Sequence, residues 1–206
     1  MITIVDYGMG NLRSVEKAIA SFGTKVIISK DPDQISNADK LILPGVGAFG
    51  DGMINIRSYG IEQAIKDFVK TGKLMLGICL GMQMLFEECD ENPGVQGLGL
   101  IKGGVKGFKQ AGIKSQGLKV PHIGWNSVEQ VKYSFIFEGI KDKSYFYFVH
   151  SYYPAPLEDV TIGNTGYGIA FTSVVQRDNV IATQFHPEKS QQNGLSMLSN
   201  FIKFRG

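Results

Sequence analysis

One stretch carries residues whose types and spacing can do covalent chemistry: Leu74 to Phe86, reading L-M-L-G-I-C-L-G-M-Q-M-L-F. The apolar run Leu74 to Ile78 has the length of a buried strand, the residues beyond it read as helical, and Cys79 stands between the two. Gly77 and Gly81 flank it as G-x-C-x-G. This is the cysteine form of the nucleophile elbow, a sharp strand-to-helix turn on which a side chain at either flank would collide. Such a turn lifts the sulfur clear of the sheet and places it at a helix N-terminus, where unpaired N–H groups and the helix dipole favour thiolate over thiol. A cysteine between a strand and a helix is more often a buried structural residue. Two glycines at the required spacing reverse that preference, and Cys79 reads as a nucleophile.

A thiolate needs a base, and the chain has three histidines, His122, His150 and His186. His186 lies in Q-F-H-P-E, directly after a predicted strand. Pro187 stiffens the turn, and Glu188 can reach back to one ring nitrogen, fixing the tautomer and leaving the other nitrogen for the thiol. Alone, His-Pro-Glu would be an exposed turn; paired with Cys79 it becomes the favoured base and its orienting carboxylate. His122 and His150 lie in or beside strand-like runs and read as hydrogen-bonded structural or rim residues. The loop Pro44-Gly45-Val46-Gly47 ends another predicted strand. Its glycines let backbone N–H groups approach and reorient, as a site for the negative charge of a tetrahedral intermediate requires. A plain strand-to-helix turn has the same spacing. Gly8-x-Gly10 after the first strand hints at a dinucleotide loop, but the third glycine would fall at Arg13, so a simple helix-starting turn is the better reading. No histidine or cysteine pair has metal-ligand spacing, and no metal or cofactor is expected.

These residues need a scaffold. Ile2–Val5, Lys25–Ser29, Lys40–Leu43 and the strand before Cys79 alternate with helical patterns at Leu12, Val15, Ala18, Ile19 and Phe22, and again at Ile61, Ala64, Ile65, Phe68 and Val69. That alternation predicts βα units on a parallel sheet. In the second half Val120–Trp125, Tyr145–Val149, Ile169–Gln176 and Val180–Phe185 read as strands, with Asp178-Asn179 as a hairpin turn. They are expected antiparallel at one edge or in a second layer. Residues 92–117 read as a loop with short strands, and Leu195, Leu198, Phe201 and Ile202 as a closing helix. The fold class is therefore α/β, a mostly parallel central sheet flanked by helices with additional antiparallel strands. No linker divides the 206 residues, and one domain over 1–206 is expected. A formal charge of +2 gives no reason to expect nucleic acid or a membrane surface. The N-terminus lacks a signal-peptide pattern and no segment is long enough to span a bilayer, so the chain reads as cytoplasmic.

Cys79 in G-I-C-L-G-M-Q, His186 and Glu188 in Q-F-H-P-E, and the loop P-G-V-G together resemble class I (triad) glutamine amidotransferases, in the expected order over most of the chain. Most of that class is similar to P-G-G at the loop, and Val46 is an extra residue. With Y-G-x-G-N at the start, P-H-I-G-W-N at 121–126 and F-V-H-S-Y at 148–152, the chain resembles one branch, the glutaminase subunits of imidazole glycerol phosphate synthases.

The resemblance implies that Cys79 attacks the glutamine amide, His186 passes a proton to the departing ammonia and Glu188 orients His186. It implies an oxyanion hole from the N–H groups of Val46 and Leu80, with glutamine held by Gly47, Gln83, Ser151 and Tyr152. It further implies a heterodimer with a (β/α)8-barrel cyclase subunit, which receives the ammonia and makes imidazole glycerol phosphate and aminoimidazole carboxamide ribotide. Asn11, His122, Trp125, Asn126, Tyr147 and Lys189 would lie near the cyclase face; for Trp125 a core position is nearly as well supported. If the peptide before Val46 aims its carbonyl at the site, the oxyanion hole lacks a donor until the partner engages. The alternatives are another amidotransferase glutaminase, such as that of pyridoxal phosphate synthase, a peptidase-type cysteine hydrolase, or a silent scaffold; the intact Cys79, His186 and Glu188 argue against the last.

Overall fold

A computed structural model describes residues 1–205. Strand β1 (Ile2–Val5) leads into helix α1 (Leu12–Ala20), and β2 (Val26–Ser29) into the short α2 (Pro32–Ser36). Strand β3 (Lys40–Leu43) is followed by two helices, α3 (Phe49–Ser58) and α4 (Ile61–Lys70), and β4 (Met75–Ile78) by a single helical turn, α5 (Leu80–Gln83). Then come β5 (Glu88–Cys89), β6 (Gly103–Gly107), β7 (His122–Gln130), β8 (Ser144–His150), β9 (Tyr152–Pro156), β10 (Thr161–Tyr167), β11 (Ile169–Arg177) and β12 (Val180–Thr183). Helix α6 (Gln191–Lys203) closes the fold.

Nine strands form one sheet in the order β2-β1-β3-β4-β12-β11-β10-β7-β8, and β5-β6-β9 form a small second sheet. The first five strands of the large sheet run parallel and the remainder pair antiparallel. Alternate side chains of the central strands feed opposite layers. Val5, Leu41, Leu43 and Met75 pack with Ile35, Met53, Ile65 and Phe68 from α2, α3 and α4. Ile4, Ile42, Leu76 and Ile78 pack with Val15 and Ile19 of α1 and Met197, Leu198 and Phe201 of α6.

One sequence expectation needs correction. The Val180–Phe185 strand is not at an edge: β12 lies inside the sheet, parallel to β4, with Thr183 beside Ile78. The two-residue hairpin at Asp178-Asn179, with Asp178 at φ +51°, turns β11 back to allow it. This insertion sets the site, because β3, β4 and β12 are now parallel neighbours whose carboxyl ends open on the same side of the sheet. Among the described residues no helix is long and apolar enough to cross a membrane.

Candidate active site

Cys79 leaves β4 with φ +53° and ψ −108°, a conformation that L side chains rarely adopt and that a sharp elbow imposes. The flanking glycines are needed as expected. A Cβ at Gly81 would stand 1.8 Å from the Leu43 carbonyl oxygen, and one at Gly77 would meet Ala182 Cβ at 3.0 Å and the Gly81 backbone at 3.2 Å. The helix behind the elbow is shorter than the sequence suggests. With only one turn in α5, its dipole is correspondingly small, and the immediate polar contacts of the sulfur are side chain and backbone. Gln184 Nε2 donates to Sγ at 3.6 Å, and Sγ lies 4.0 Å from the Val149 carbonyl oxygen.

β12 delivers His186 beside this elbow. Its Nδ1 meets Glu188 Oε1 at 2.8 Å, with both side chains almost wholly buried. The loop is fixed by the sheet. The His186 N–H donates to the Tyr147 carbonyl at 3.0 Å, Ser190 Oγ accepts from the Tyr147 N–H at 2.9 Å and donates to the His186 carbonyl at 2.6 Å, and Phe185 stacks on Phe146. Burial opposes a charge on His186, but Cys79 and Glu188 outweigh it and raise its pKa to about 10, which favours the imidazolium at neutral pH. Nε2 of His186 is buried without a hydrogen-bond partner among the described residues. A buried polar atom left unpartnered calls for a reason, and a catalytic role is one of those that account for it.

A cleft of about 410 Å³ lies in front of the sulfur, lined by Val46, Gly47, Cys79, Leu80, Gln83, Ser151 and Tyr152, among others. All six residues expected at the oxyanion hole or against glutamine therefore meet on one surface with Cys79. Sequence reasoning missed Glu91, which lines the same cleft and accepts the Phe49 N–H at 2.8 Å, tying the start of α3 to the segment after β5. Its segment C-D-E-N carries no periodicity or motif. At the P-G-V-G loop the Leu80 N–H points to the Gly45 carbonyl oxygen at 3.4 Å. The peptide before Val46 thus turns its oxygen, not its N–H, toward the elbow. Tyr7 Oη holds the preceding Pro44 carbonyl at 2.9 Å; burial, then the charge at Cys79, push the Tyr7 phenol well up, so it stays a neutral donor.

The residues expected at a docking face divide. Trp125 is 44% exposed and pairs across strands with Tyr147, its ring centroid 6.1 Å away, so it is not a core tryptophan. Ile123 and Tyr145 are exposed on the same hairpin. Asn11 and Lys189 are exposed, Asn11 also capping α1, and Asn126 is half-buried. His122 is corrected: it is buried, stacked on Tyr167 and hydrogen-bonded to His150, so its ring does not reach a docking surface. Cys89 is a free buried thiol pushed up to about 12 by burial, which disfavours its thiolate. Among the described residues no cluster of His, Cys, Asp and Glu is placed to hold a metal ion.

A parallel sheet whose strand ends present a strained Cys79 and a His186–Glu188 pair has the form of a class I glutamine amidotransferase, and the family profile for "Glutamine amidotransferase class-I" matches residues 3–204. The fold is shared with a structure described as a glutamine amidotransferase, at TM-score 0.75 and 20% identity over 98% of this chain and 100% of that one. It is shared also with PurLQS from Thermotoga maritima, at TM-score 0.72 and 18% identity over 98% and 96%. The imidazole glycerol phosphate synthase subunit HisH of Sulfurimonas denitrificans is 51% identical over 100% of this chain and 99% of its own length. That of Methanocaldococcus jannaschii is 51% identical over 98% and 99%. The chain belongs to this family, the HisH subunits of imidazole glycerol phosphate synthase.

Proposed function

We propose that residues 1–206 act as a single glutaminase domain with Cys79 as nucleophile, His186 as proton carrier and Glu188 as the carboxylate that orients it. The carrying observation is the convergence of β4 and β12: a strained cysteine elbow beside a histidine held at 2.8 Å by a buried glutamate. Sγ attacks the side-chain amide carbon of glutamine, and the negative charge passes to the amide oxygen. When the tetrahedral intermediate collapses, the C–N bond breaks and the imidazolium of His186 gives the nitrogen its proton, releasing ammonia. Water, losing a proton to His186, then cleaves the thioester to glutamate and restores the thiolate.

The cleft supports this assignment. Val46 and Leu80 are the oxyanion donors, and Gly47, Gln83, Ser151 and Tyr152 hold the glutamine. Glu91 supplies a carboxylate for its α-ammonium group. In the state described, the Gly45 carbonyl meets the Leu80 N–H, and the peptide before Val46 turns its oxygen, not the Val46 N–H, toward the site. Losing one such donor costs about two to three orders of magnitude in rate. The subunit is thus a low-activity glutaminase until the peptide before Val46 turns over. The trigger is a (β/α)8-barrel cyclase subunit docked on the exposed hairpin of Trp125 and Tyr147, with Asn11, Asn126 and Lys189 around it. The ammonia passes to that subunit, which makes imidazole glycerol phosphate and aminoimidazole carboxamide ribotide in histidine biosynthesis. A nucleophile that must stay a free thiol suits the reducing cytoplasm.

The test is glutamate release by the chain alone and with a cyclase subunit and its nucleotide ligand, with Cys79→Ala as the blank. Strong stimulation that disappears in Cys79→Ala is expected. High activity without the partner removes the gate, and activity in Cys79→Ala removes the nucleophile.

A further inference from the structure

Between the exposed hairpin and the nucleophile runs an unbroken series of hydrogen bonds, and one backbone carbonyl sets the direction of all of them. The Tyr152 oxygen is met by His150 Nδ1 at 2.8 Å and by Gln83 Nε2 at 3.1 Å. A carbonyl only accepts, so both neighbours donate. Toward the site, the second amide hydrogen of Gln83 goes to Gln184 Oε1 at 3.1 Å. Gln184 must therefore present its other end, Nε2–H, to Cys79 Sγ at 3.6 Å. Toward the hairpin, a neutral His150 that donates from Nδ1 has an accepting Nε2, which takes a hydrogen bond from His122 Nδ1 at 2.9 Å. The Nε2 of His122 then accepts from Asn126 Nδ2 at 3.3 Å, whose other hydrogen goes to the Gly166 carbonyl at 2.9 Å. Asn126 adjoins Trp125 on β7.

Reversing any one of these bonds would leave two donors or two acceptors face to face. The setting leaves little freedom to do so. His122, His150, Gln83 and Gln184 are all buried, and the His122 ring is stacked between Tyr167 and Phe148, at 4.0 and 5.0 Å. Burial pushes His122 down to about 4. Burial first, with charge on His122 and His186 adding to it, takes His150 down to about 3 against the favourable Tyr152 bond. Both rings are neutral at physiological pH.

From this geometry we infer that His150 and His122 are positioning residues for the nucleophile. As Nδ1–H tautomers they fix the Tyr152 carbonyl and, through Gln83 and Gln184, keep an amide N–H aimed at the Cys79 sulfur. The inference rests on Cys79 being the nucleophile proposed above. A hydrogen bond to an anion is stronger than one between neutral groups, so the aimed N–H favours thiolate and holds it in one orientation. The Tyr152 oxygen also occupies one amide hydrogen of Gln83 and Gln184 the other, which leaves Gln83 Oε1 as the group that side chain offers to the cleft.

Two measurements test this. Nitrogen-15 NMR of the histidine rings in the unsubstituted protein at neutral pH should show both His122 and His150 as neutral Nδ1–H tautomers. An Nε2–H tautomer or an imidazolium at either position overturns the scheme, and this readout does not depend on glutaminase activity. Second, the pH dependence of Cys79 alkylation by iodoacetamide is followed by mass spectrometry of its peptide, alongside partner-stimulated kcat and KM. In His150→Phe the alkylation midpoint should move up by about one pH unit and kcat fall about tenfold, as for loss of one hydrogen bond to a charged group, with KM changed less. His150→Gln, which keeps one donor and one acceptor, should recover most of the loss. Gln184→Leu should reproduce the midpoint shift even if His150→Phe fails to fold. An unmoved alkylation profile in folded His150→Phe and Gln184→Leu overturns the positioning role while leaving the nucleophile intact. Glutaminase activity in Cys79→Ala would instead remove the nucleophile itself.

Discussion

The charge on His186 is held against burial by two neighbours, and its dependence on pH follows from that. Its folded value, about 10, lies above the ordinary 6.5 of an unfolded chain. The stability it contributes is therefore complete below about pH 6.5 and is lost as pH rises toward 10. Glu188→Gln removes one of the two attractions, so its melting temperature should fall less steeply than the wild type's between pH 7 and 10. Glutaminase kcat in that variant should drop by about two to four orders of magnitude, the range for losing a positioned acid–base group. An equally steep alkaline fall in Glu188→Gln would show that the pair does not hold the charge. The buried His122 and His150 work in the opposite direction. Their folded values, about 4 and about 3, lie below 6.5, so the unfolded chain binds more protons in that range. Their contribution is complete above pH 6.5 and is lost as pH falls toward 4. Melting curves from pH 7 to 4 should slope less in His122→Asn than in the wild type, because one of the two rings that must unfold to protonate is gone.

At the scale of elements, the elbow depends on close approach between β3 and the turn after β4. A methyl at Gly81 would overlap the Leu43 carbonyl, which backbone cannot vacate without moving β3. Gly81→Ala should cost about 3 kcal/mol or more in urea unfolding. The control is Gly23→Ala, where φ is +73° and nothing lies within 4 Å of the added carbon; it should cost only about 1 kcal/mol of backbone strain. Equal costs would mean that the elbow is not tightly packed. Local pattern made some elements legible and hid others. β1, β3, α1, α4 and the elbow were readable because apolar residues recur at one clear period between strong stops. Helix α3 was not, because F-G-D-G-M-I-N-I-R-S carries two glycines and leaves Ile54 exposed. β10 has the same weakness in T-I-G-N-T-G-Y, and β9 carries Pro154 and Pro156, which nonetheless pair with β6. The direction of β12 had no local signal at all, since parallel and antiparallel strands share the same side-chain period. The three residues proposed as the triad stand out because each sits in its own short motif. Glu91 and the His122–His150 pairing do not, because they exist only through contacts between elements far apart in sequence.

For the whole molecule, the exposed aromatic hairpin and the occupied Leu80 N–H are the two features on which the proposed gating by a partner rests. Trp125→Ala should weaken binding to the cyclase by about 2 kcal/mol, roughly thirtyfold, as truncating a central aromatic anchor does. The melting temperature of the isolated subunit should barely change, since the ring is half-exposed; unaltered affinity would move the interface elsewhere. Activation then depends on the loop. Turning the peptide before Val46 withdraws the Gly45 oxygen from Leu80 and presents two N–H groups in its place, a rotation that glycine at position 45 permits. A Cβ there would stand 2.3 Å from Tyr7 Oη and 2.8 Å from Leu80 Cβ, the atoms on either side of the loop. Gly45→Ala must therefore displace the loop whichever way the peptide points. The stimulation of glutamate release by cyclase and nucleotide ligand should fall about tenfold or more, since one oxyanion donor is worth two to three orders of magnitude. The KM for glutamine should change much less, because Gln83, Glu91, Ser151 and Tyr152 reach the cleft from other elements. Unchanged stimulation in Gly45→Ala would mean that the partner activates the site without turning this peptide, and the gate would have to lie in the groups that aim Cys79 and His186.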